Sequence, residues 1–206
     1  MKKITLYFTL MTITVFGVAS CSDDSAEMDV INAAQEIEIS EKKSEDPTIA
    51  EIATAAGLTQ LLGALTLVDE NLDGTLEPNE NPGLVNLFSN GKDQYTVFAP
   101  TNDAFDRLFI TLADKGITVT SKLVYDVLLY HVTEGRRSAN SVVPKNGEKE
   151  ITTLLNATFD VHPDGMIEAV GNSAQIIISE GTYNISASNG IIHLIDEVIL
   201  PINLPE

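Results

Sequence analysis

Apolar and polar positions along the chain fall into successive regimes. Ile4 to Gly17 is apolar with interspersed threonines and no charge. Ser22 to Asp46 is strongly polar, with only a weak alternation at Ile37-Glu38-Ile39. Ile49, Ile52, Ala53 and Ala56 then recur at helical spacing, with Asp46 or Thr48 placed to cap. Gly57 interrupts, and Leu58, Leu61, Leu62 and Leu65 continue the pattern as a second short helix. Tyr95-Thr96-Val97-Phe98-Ala99 reads as a buried strand ended by Pro100. Thr101 is placed to cap a helix whose inner face is Phe105, Leu108, Phe109 and Leu112, closed by Gly116. Thr120 or Ser121 caps the next, with Leu123, Val124, Val127 and Leu128 inward.

From Ile151 the period changes to two. The alternation predicts short strands at 150–155, 157–162, 166–170, 174–179 and 182–187, separated by turn signals such as Pro163-Asp164-Gly165 and Asn189-Gly190. Ile191 to Leu200 predicts a long apolar strand stopped by Pro201. Helices first and strands later predict an α+β class with an antiparallel sheet system. No internal repeat is visible.

Composition narrows the function. The chain has 206 residues, 12 Lys plus Arg against 30 Asp plus Glu, and a formal charge of −18. That balance excludes a nucleic-acid partner, which requires a basic face. At 44% apolar residues the chain is no disordered protein. One cysteine forms no internal disulfide and no cysteine-based zinc site. That cysteine ends Val18-Ala19-Ser20-Cys21, behind the basic start Met1-Lys2-Lys3 and the charge-free run. The layout reads as a secretory signal, too short for a membrane span. It resembles a bacterial lipoprotein signal with its lipobox. The resemblance implies that residues 1–20 are removed and that Cys21 carries acyl chains anchoring the protein to a membrane. Ser22-Asp23-Asp24 is similar to the acidic export signal of Bacteroidetes lipoproteins, which implies the outer face of the outer membrane. A periplasmic-facing position is the alternative. The mature chain then carries −20, and nine of its acids lie in Ser22 to Asp46. That segment (21–46 with the cysteine) reads as a solvated tether holding the domain roughly 25–30 Å from its anchor. Pairing of part of it as an edge strand is the other reading.

Residues 47–206 make one domain, long enough to bury about two-thirds of its unfolded surface. Its motifs resemble a family. Tyr95-Thr96-Val97-Phe98-Ala99-Pro100-Thr101-Asn102-Asp103-Ala104-Phe105, then Leu128-Leu129-Tyr130-His131-Val132, then Asn189-Gly190-Ile191-Ile192-His193-Leu194-Ile195-Asp196-Glu197-Val198-Ile199-Leu200-Pro201 are similar to the three signatures of the fasciclin (FAS1) domain, in the family's order. The resemblance covers about residues 47–203. It implies a β-sandwich-like wedge of antiparallel strands with N-terminal helices wrapped around it. It also implies an extracellular adhesion module without catalysis, and a partner-binding role for Tyr130 and His131. Read from the residues alone, Tyr130 and His131 are paired core groups, the ring of Tyr130 packed and its hydroxyl bonded, and His131 satisfying a backbone group. His193, among isoleucines and leucine, reads as a half-buried strand histidine, and Asp196 and Glu197 as contact residues or turn-side charges.

One stretch departs from the family, whose connection into the first signature strand is usually short. Asp69-Glu70-Asn71-Leu72-Asp73-Gly74-Thr75-Leu76-Glu77-Pro78-Asn79-Glu80 matches D-x-[DN]-x-[DN]-G-x5-E, the EF-hand calcium loop. Asp69, Asn71 and Asp73 place oxygens around a hard cation, Gly74 permits the sharp turn, and Thr75 offers its backbone carbonyl. Glu77 contacts the ion directly or through water, and Glu80 is the bidentate ligand. Pro78 and Pro82 shorten any exiting helix, and no second loop pairs with it. The expectation is a lone calcium-ordered loop, against a plain acidic surface loop.

No G-x-S-x-G, P-loop or H-E-x-x-H is present, so no enzyme is expected. Asp160-x-His162-x-Asp164 straddles a turn and is a weak metal candidate beside a solvated hairpin. Arg136-Arg137 is the one basic pair of the domain after the two lysines of the tether. It reads as a contact for an acidic glycan or as an offset for nearby acids. The expected function is a lipid-anchored surface module that binds an extracellular protein or polysaccharide. The alternative is a periplasmic-side structural or accessory lipoprotein.

Overall fold

The structure, a computed structural model, describes residues 46–71, 74–76, 83–89, 93–179 and 181–205. The signal segment, Cys21, the tether before Asp46, and Asp73, Glu77 and Glu80 lie outside the described residues.

The first helix, α1 (Ile49–Ala55), starts at Thr48 through a reciprocal cap. The Thr48 hydroxyl accepts the Glu51 N–H at 3.3 Å, and the Glu51 carboxylate accepts the Thr48 N–H at 2.7 Å. Helix α2 (Thr59–Glu70) begins after Leu58, which has no side-chain oxygen to offer. Its cap comes from far along the chain: Asn102 Oδ1 accepts the Gln60 N–H at 3.1 Å while its amide donates to the Gly57 carbonyl at 2.9 Å. Helix α3 (Leu84–Ser89) follows, then strand β1 (Tyr95–Pro100). Thr101 caps α4 (Asn102–Asp114), and Thr120 caps α5 (Ser121–Tyr130). The remaining elements are β2 (Val132–Glu134), α6 (Ala139–Val142), β3 (Lys149–Thr152), β4 (Thr158–Val161), β5 (Met166–Glu168), β6 (Ser173–Gln175), β7 (Ile185–Ala187) and β8 (Gly190–Ile195). Most helices lie in the first half and most strands in the second, with β1 and β2 set among the helices, and the class is α+β.

Two four-stranded sheets form, ordered β2-β1-β8-β7 and β3-β4-β5-β6. All their pairings are antiparallel except one. The system is antiparallel as expected, with an exception at the centre of the first sheet, where β1 and β8 run parallel over Tyr95–Pro100 and Gly190–Ile195. The physical reason is burial on both faces, the usual setting of parallel pairs. Val97, Ala99 and Ile192 pack into the core shared with the helices, whereas Phe98 and Ile195 pack into a second core with Ile151, Phe159, Val161 and Ile167 of the other sheet. Alternate residues of one strand therefore serve two cores, which is why these segments read as unbroken apolar runs.

The long last strand also stops early, at Ile195 rather than Leu200. Asp196 turns the chain: its carboxylate accepts the Gln175 N–H at 2.7 Å. Val198, Ile199 and Leu200 stay buried but leave the ladder. Two of their N–H groups go to side chains instead, Ile199 to His131 Nε2 at 3.1 Å and Leu200 to Asn172 Oδ1 at 2.9 Å, while the Leu200 carbonyl accepts the Gly171 N–H at 3.0 Å. Among the described residues no helix is long and apolar enough to cross a membrane.

Candidate functional site

Tyr130 and His131 end α5 and face inward, with 0% and 3% exposure. The Tyr130 ring meets Phe159 edge-on at 5.7 Å, and its hydroxyl donates to the Thr158 carbonyl at 2.7 Å. That contact ties α5 to the second sheet. His131 ties the same helix end to the C-terminal segment. Its Nδ1 donates to the Val127 carbonyl at 2.6 Å, its Nε2 accepts from Ile199, and its own carbonyl accepts the Phe98 N–H at 2.9 Å. Burial pushes its pKa down to about 4, only partly opposed by the Val127 bond, so the ring is neutral at neutral pH. The partner-contact role that the resemblance implies for these two side chains is corrected: neither ring reaches the surface. A helix that hands over to a strand beneath both cores has polar groups to satisfy there, and these residues do it.

His193 repeats the device. Its Nδ1 accepts the Asn184 N–H at 3.2 Å and its Nε2 donates to the Arg137 carbonyl at 3.1 Å. It is fully buried, stacked on Phe98, and burial lowers its pKa. Asn189, beside it in the closing signature, is also fully buried. It accepts the Ile49 N–H at 2.8 Å and donates to the Phe88 carbonyl at 2.8 Å, fastening α1 and α3 to the sheet. Nothing in the periodicity marks Asn189 as more than a turn residue.

The arginine pair is what remains at the surface. Arg136 donates to the Ala187 carbonyl at 2.6 Å, to Gln94 Oε1 at 3.4 Å and to the Ser186 hydroxyl, so its head is braced across the edge strand β7. Arg137 donates through Nε to the Glu134 carbonyl at 3.1 Å. It lines a polar recess of about 320 Å³ with Thr133, Glu134, Thr152, Thr153 and Asn156. The Thr133 and Thr153 hydroxyls already donate to the Thr152 and Ala157 carbonyls, at 2.7 and 2.8 Å.

The acidic loop is described at its entry only. Asp69 caps α3: its two carboxylate oxygens accept the Leu84 and Val85 N–H groups at 2.7 and 3.0 Å. Asn71 adopts a left-handed conformation at the end of α2, and its Oδ1 accepts the Leu76 N–H at 3.2 Å. Gly74 has φ +64°, the turn for which a glycine was expected. The Thr75 hydroxyl accepts the Lys122 N–H at 2.9 Å, and Leu76 is buried in the helical core. An ion at this loop would share Asp69 and Asn71 with these backbone bonds.

Elsewhere His162 faces Glu168 at 3.3 Å and Glu148 at 3.9 Å. Asp164 instead accepts the Met166 N–H within its turn. Among the described residues no three His, Cys, Asp or Glu side chains are grouped to hold a metal ion. Glu197 pairs with Arg107 at 2.6 Å, and Arg107 also donates to the Asp196 carbonyl.

The comparisons bear on the same motifs. The Fasciclin domain family model matches residues 70–201. The immunogenic protein MPB70 of Mycobacterium bovis is 34% identical over 158 residues, 77% of this chain and 70% of that protein. The cell surface glycolipoprotein MPB83 of the same species is 33% identical over 153 residues, 73% of this chain and 60% of its own length. The Synechocystis protein sll1483 is 31% identical over 170 residues, 82% and 86% of the two chains. A solved FAS1 domain pair from the insect cell adhesion molecule Fasciclin I aligns with TM-score 0.46 and 18% identity, covering 72% of this chain and 46% of that one. The family match spans well over half of the 206 residues and takes in all three signatures, and on it and these relatives the chain belongs to the fasciclin domain family.

Proposed function

We propose that this chain is a lipid-anchored, non-catalytic interaction module of the cell surface. It holds an extracellular protein or polysaccharide at the face around Arg136 and Arg137, and calcium orders its 69–80 loop. The observation that carries the reading is the contrast within the expected partner residues. Tyr130 and His131 are spent on the core, and Arg137 lines a polar recess open to solvent. The lipobox-like Val18-Ala19-Ser20-Cys21 and a relative named as a cell surface glycolipoprotein support the location.

Protease shaving of intact cells tests the display. The domain is expected to be released from cells, and a domain protected until the outer membrane is broken overturns surface exposure. Beads coated with the released domain are then expected to capture acidic glycans or matrix proteins, and an Arg136→Ala, Arg137→Ala variant to lose the capture. Equal capture by the variant refutes the arginine face.

In the calcium loop Asp69, Asn71, Asp73, the Thr75 carbonyl, Glu77 and Glu80 would hold the ion, which supplies charge neutralisation and order. At a dissociation constant of about 10⁻⁴ M and about 1 mM calcium, binding adds roughly 1.4 kcal/mol of stability. Calorimetric titration is expected to show one site, abolished by Asp73→Ala. No heat in the wild type sinks the calcium assignment and leaves the arginine face untouched.

A further inference from the structure

An apolar cavity of about 170 Å³ opens between α2, α4, α5 and the C-terminal segment 200–204. Its floor includes Leu112, Val127, Leu128 and Leu200, all buried. Its rim is formed by Leu67, Phe109, Val119 and Ile202, which are 36 to 49% exposed. Single exposed apolar side chains are ordinary on a protein surface, but four around one concavity make a patch with a purpose. Among the described residues Gln60 is the one polar side chain in the wall, and its amide donates to Asp106 at 3.3 Å.

A second recess of about 330 Å³, part polar and part apolar, shares Leu108, Leu200 and Leu204 with this cavity and is lined also by Arg107, Lys115 and Glu197. Arg107 is neutralised by Glu197 at 2.6 Å. Lys115 is in no ion pair among the described residues; its ammonium donates to the Pro205 carbonyl at 2.7 Å. In a chain of net charge −18, this cation beside an apolar cavity runs against the local trend. Charge complementarity and shape therefore select the same ligand class, one with an alkyl end and an anionic end.

We infer that the cavity takes the aliphatic chain of a free single-chain carboxylic acid, with the carboxylate in the second recess at Lys115. An apolar cavity of about 150 Å³ takes up benzene, a molecule of about six carbons. The cavity here accommodates a segment of similar size, and the rest of a medium-length chain lies along the wall shared by the two recesses. The site is separate from the face around Arg136 and Arg137 and does not depend on it.

Calorimetric titration of the full chain with decanoate, decanol and phosphatidylcholine vesicles tests this. Decanoate is expected to bind saturably at one site. Gly63→Leu is the blocking variant. Gly63 lines the cavity, a Cβ there has no atom within 4 Å, and the change favours the helix, so the variant folds. It is expected to weaken decanoate by roughly tenfold or more. Lys115→Gln is expected to weaken decanoate by roughly tenfold and leave decanol unchanged. Absence of saturable decanoate binding overturns the inference, as does equal binding by Gly63→Leu. So does insensitivity of decanoate to Lys115→Gln, or uptake of vesicles without the free acid, which would make the patch a membrane contact.

Discussion

Lowering the pH from 6.5 toward 4 is expected to cost the folded domain on the order of 3 kcal/mol through His131 alone. Burial lowers the folded-state pKa of this histidine to about 4 from the 6.5 of an exposed imidazole. Between those values the unfolded chain binds a proton that the native state refuses. The stabilisation is therefore complete above 6.5 and is lost as the pH falls through the window. Protonation also turns Nε2 from an acceptor into a donor, facing the Ile199 N–H that donates to it. His193, lowered in the same direction by burial, adds to the slope. Urea denaturation at pH 7, 5.5 and 4 measures it. His131→Gln is expected to keep an acceptor for Ile199, to be less stable at pH 7, and to show a clearly flatter pH dependence. An unchanged slope in that variant removes His131 as the cause. His131→Ala at pH 7 leaves a buried N–H and a buried carbonyl unpaired as well as a void, which together cost on the order of 4 kcal/mol.

Gly190→Ala is expected to destabilise the domain by about 3 kcal/mol or more, with loss of soluble protein as the extreme outcome. A Cβ at this position would lie 2.1 Å from the Tyr95 carbonyl oxygen and 2.8 Å from Ile49 Cδ1. The neighbour is backbone, held in the central parallel pairing, and cannot swing away as a side chain would. Relief requires moving β8 off β1, which also disturbs the Asn189 bonds to Ile49 and Phe88. Gly63→Ala is the control. It sits in α2 with open space around it and is expected to be neutral or to stabilise by roughly 0.5–1 kcal/mol. Thermal melts of the two variants, side by side with wild type, decide the matter. Equal melting temperatures for Gly190→Ala and wild type refute the close-approach account.

Much of the fold is legible along the chain because local rules govern it. Thr48, Thr101 and Thr120 cap the helices that their positions predict, and Gly57 and Gly116 take the positive φ of helix ends. The change to period two after Ile151 marks the second sheet. Helices α3 and α6 leave no such mark, being six and four residues long and capped from a distance, α3 by Asp69 and α6 by Asn184. The end of the last strand was misplaced by five residues. Val198, Ile199 and Leu200 are as apolar as the residues before them, and the groups that take their place in the ladder, such as His131 and Asn172, lie far off in sequence.

The candidate site divides in the same way. The spacing of Asp69, Asn71, Asp73, Gly74 and Glu80 is a property of the chain and suggests a cation without any structure. The motif around Tyr130 and His131 can be read but its purpose cannot. A tyrosine and a histidine on an apolar segment satisfy either a partner or a core, and the choice depends on what packs over them. The cavity between α2, α4 and α5 has no signature at all, since its wall residues have the same spacing as any amphipathic helix.

By itself the sequence determined the acidic character of the protein, its α+β class, several of its helix caps and its family signatures. Each depends on residues close together in the chain or on composition. Only the tertiary structure decided that β1 and β8 run parallel, that Gly190 has no room for a methyl group, and that Asn102 and Asn189 serve helices from a distance. It alone decided that Tyr130 and His131 face inward while Arg136 and Arg137 stay outside. These outcomes rest on contacts between segments some 30 to 140 residues apart, such as Tyr130 with Thr158 and Asn189 with Ile49, and such contacts leave no periodic trace along the chain.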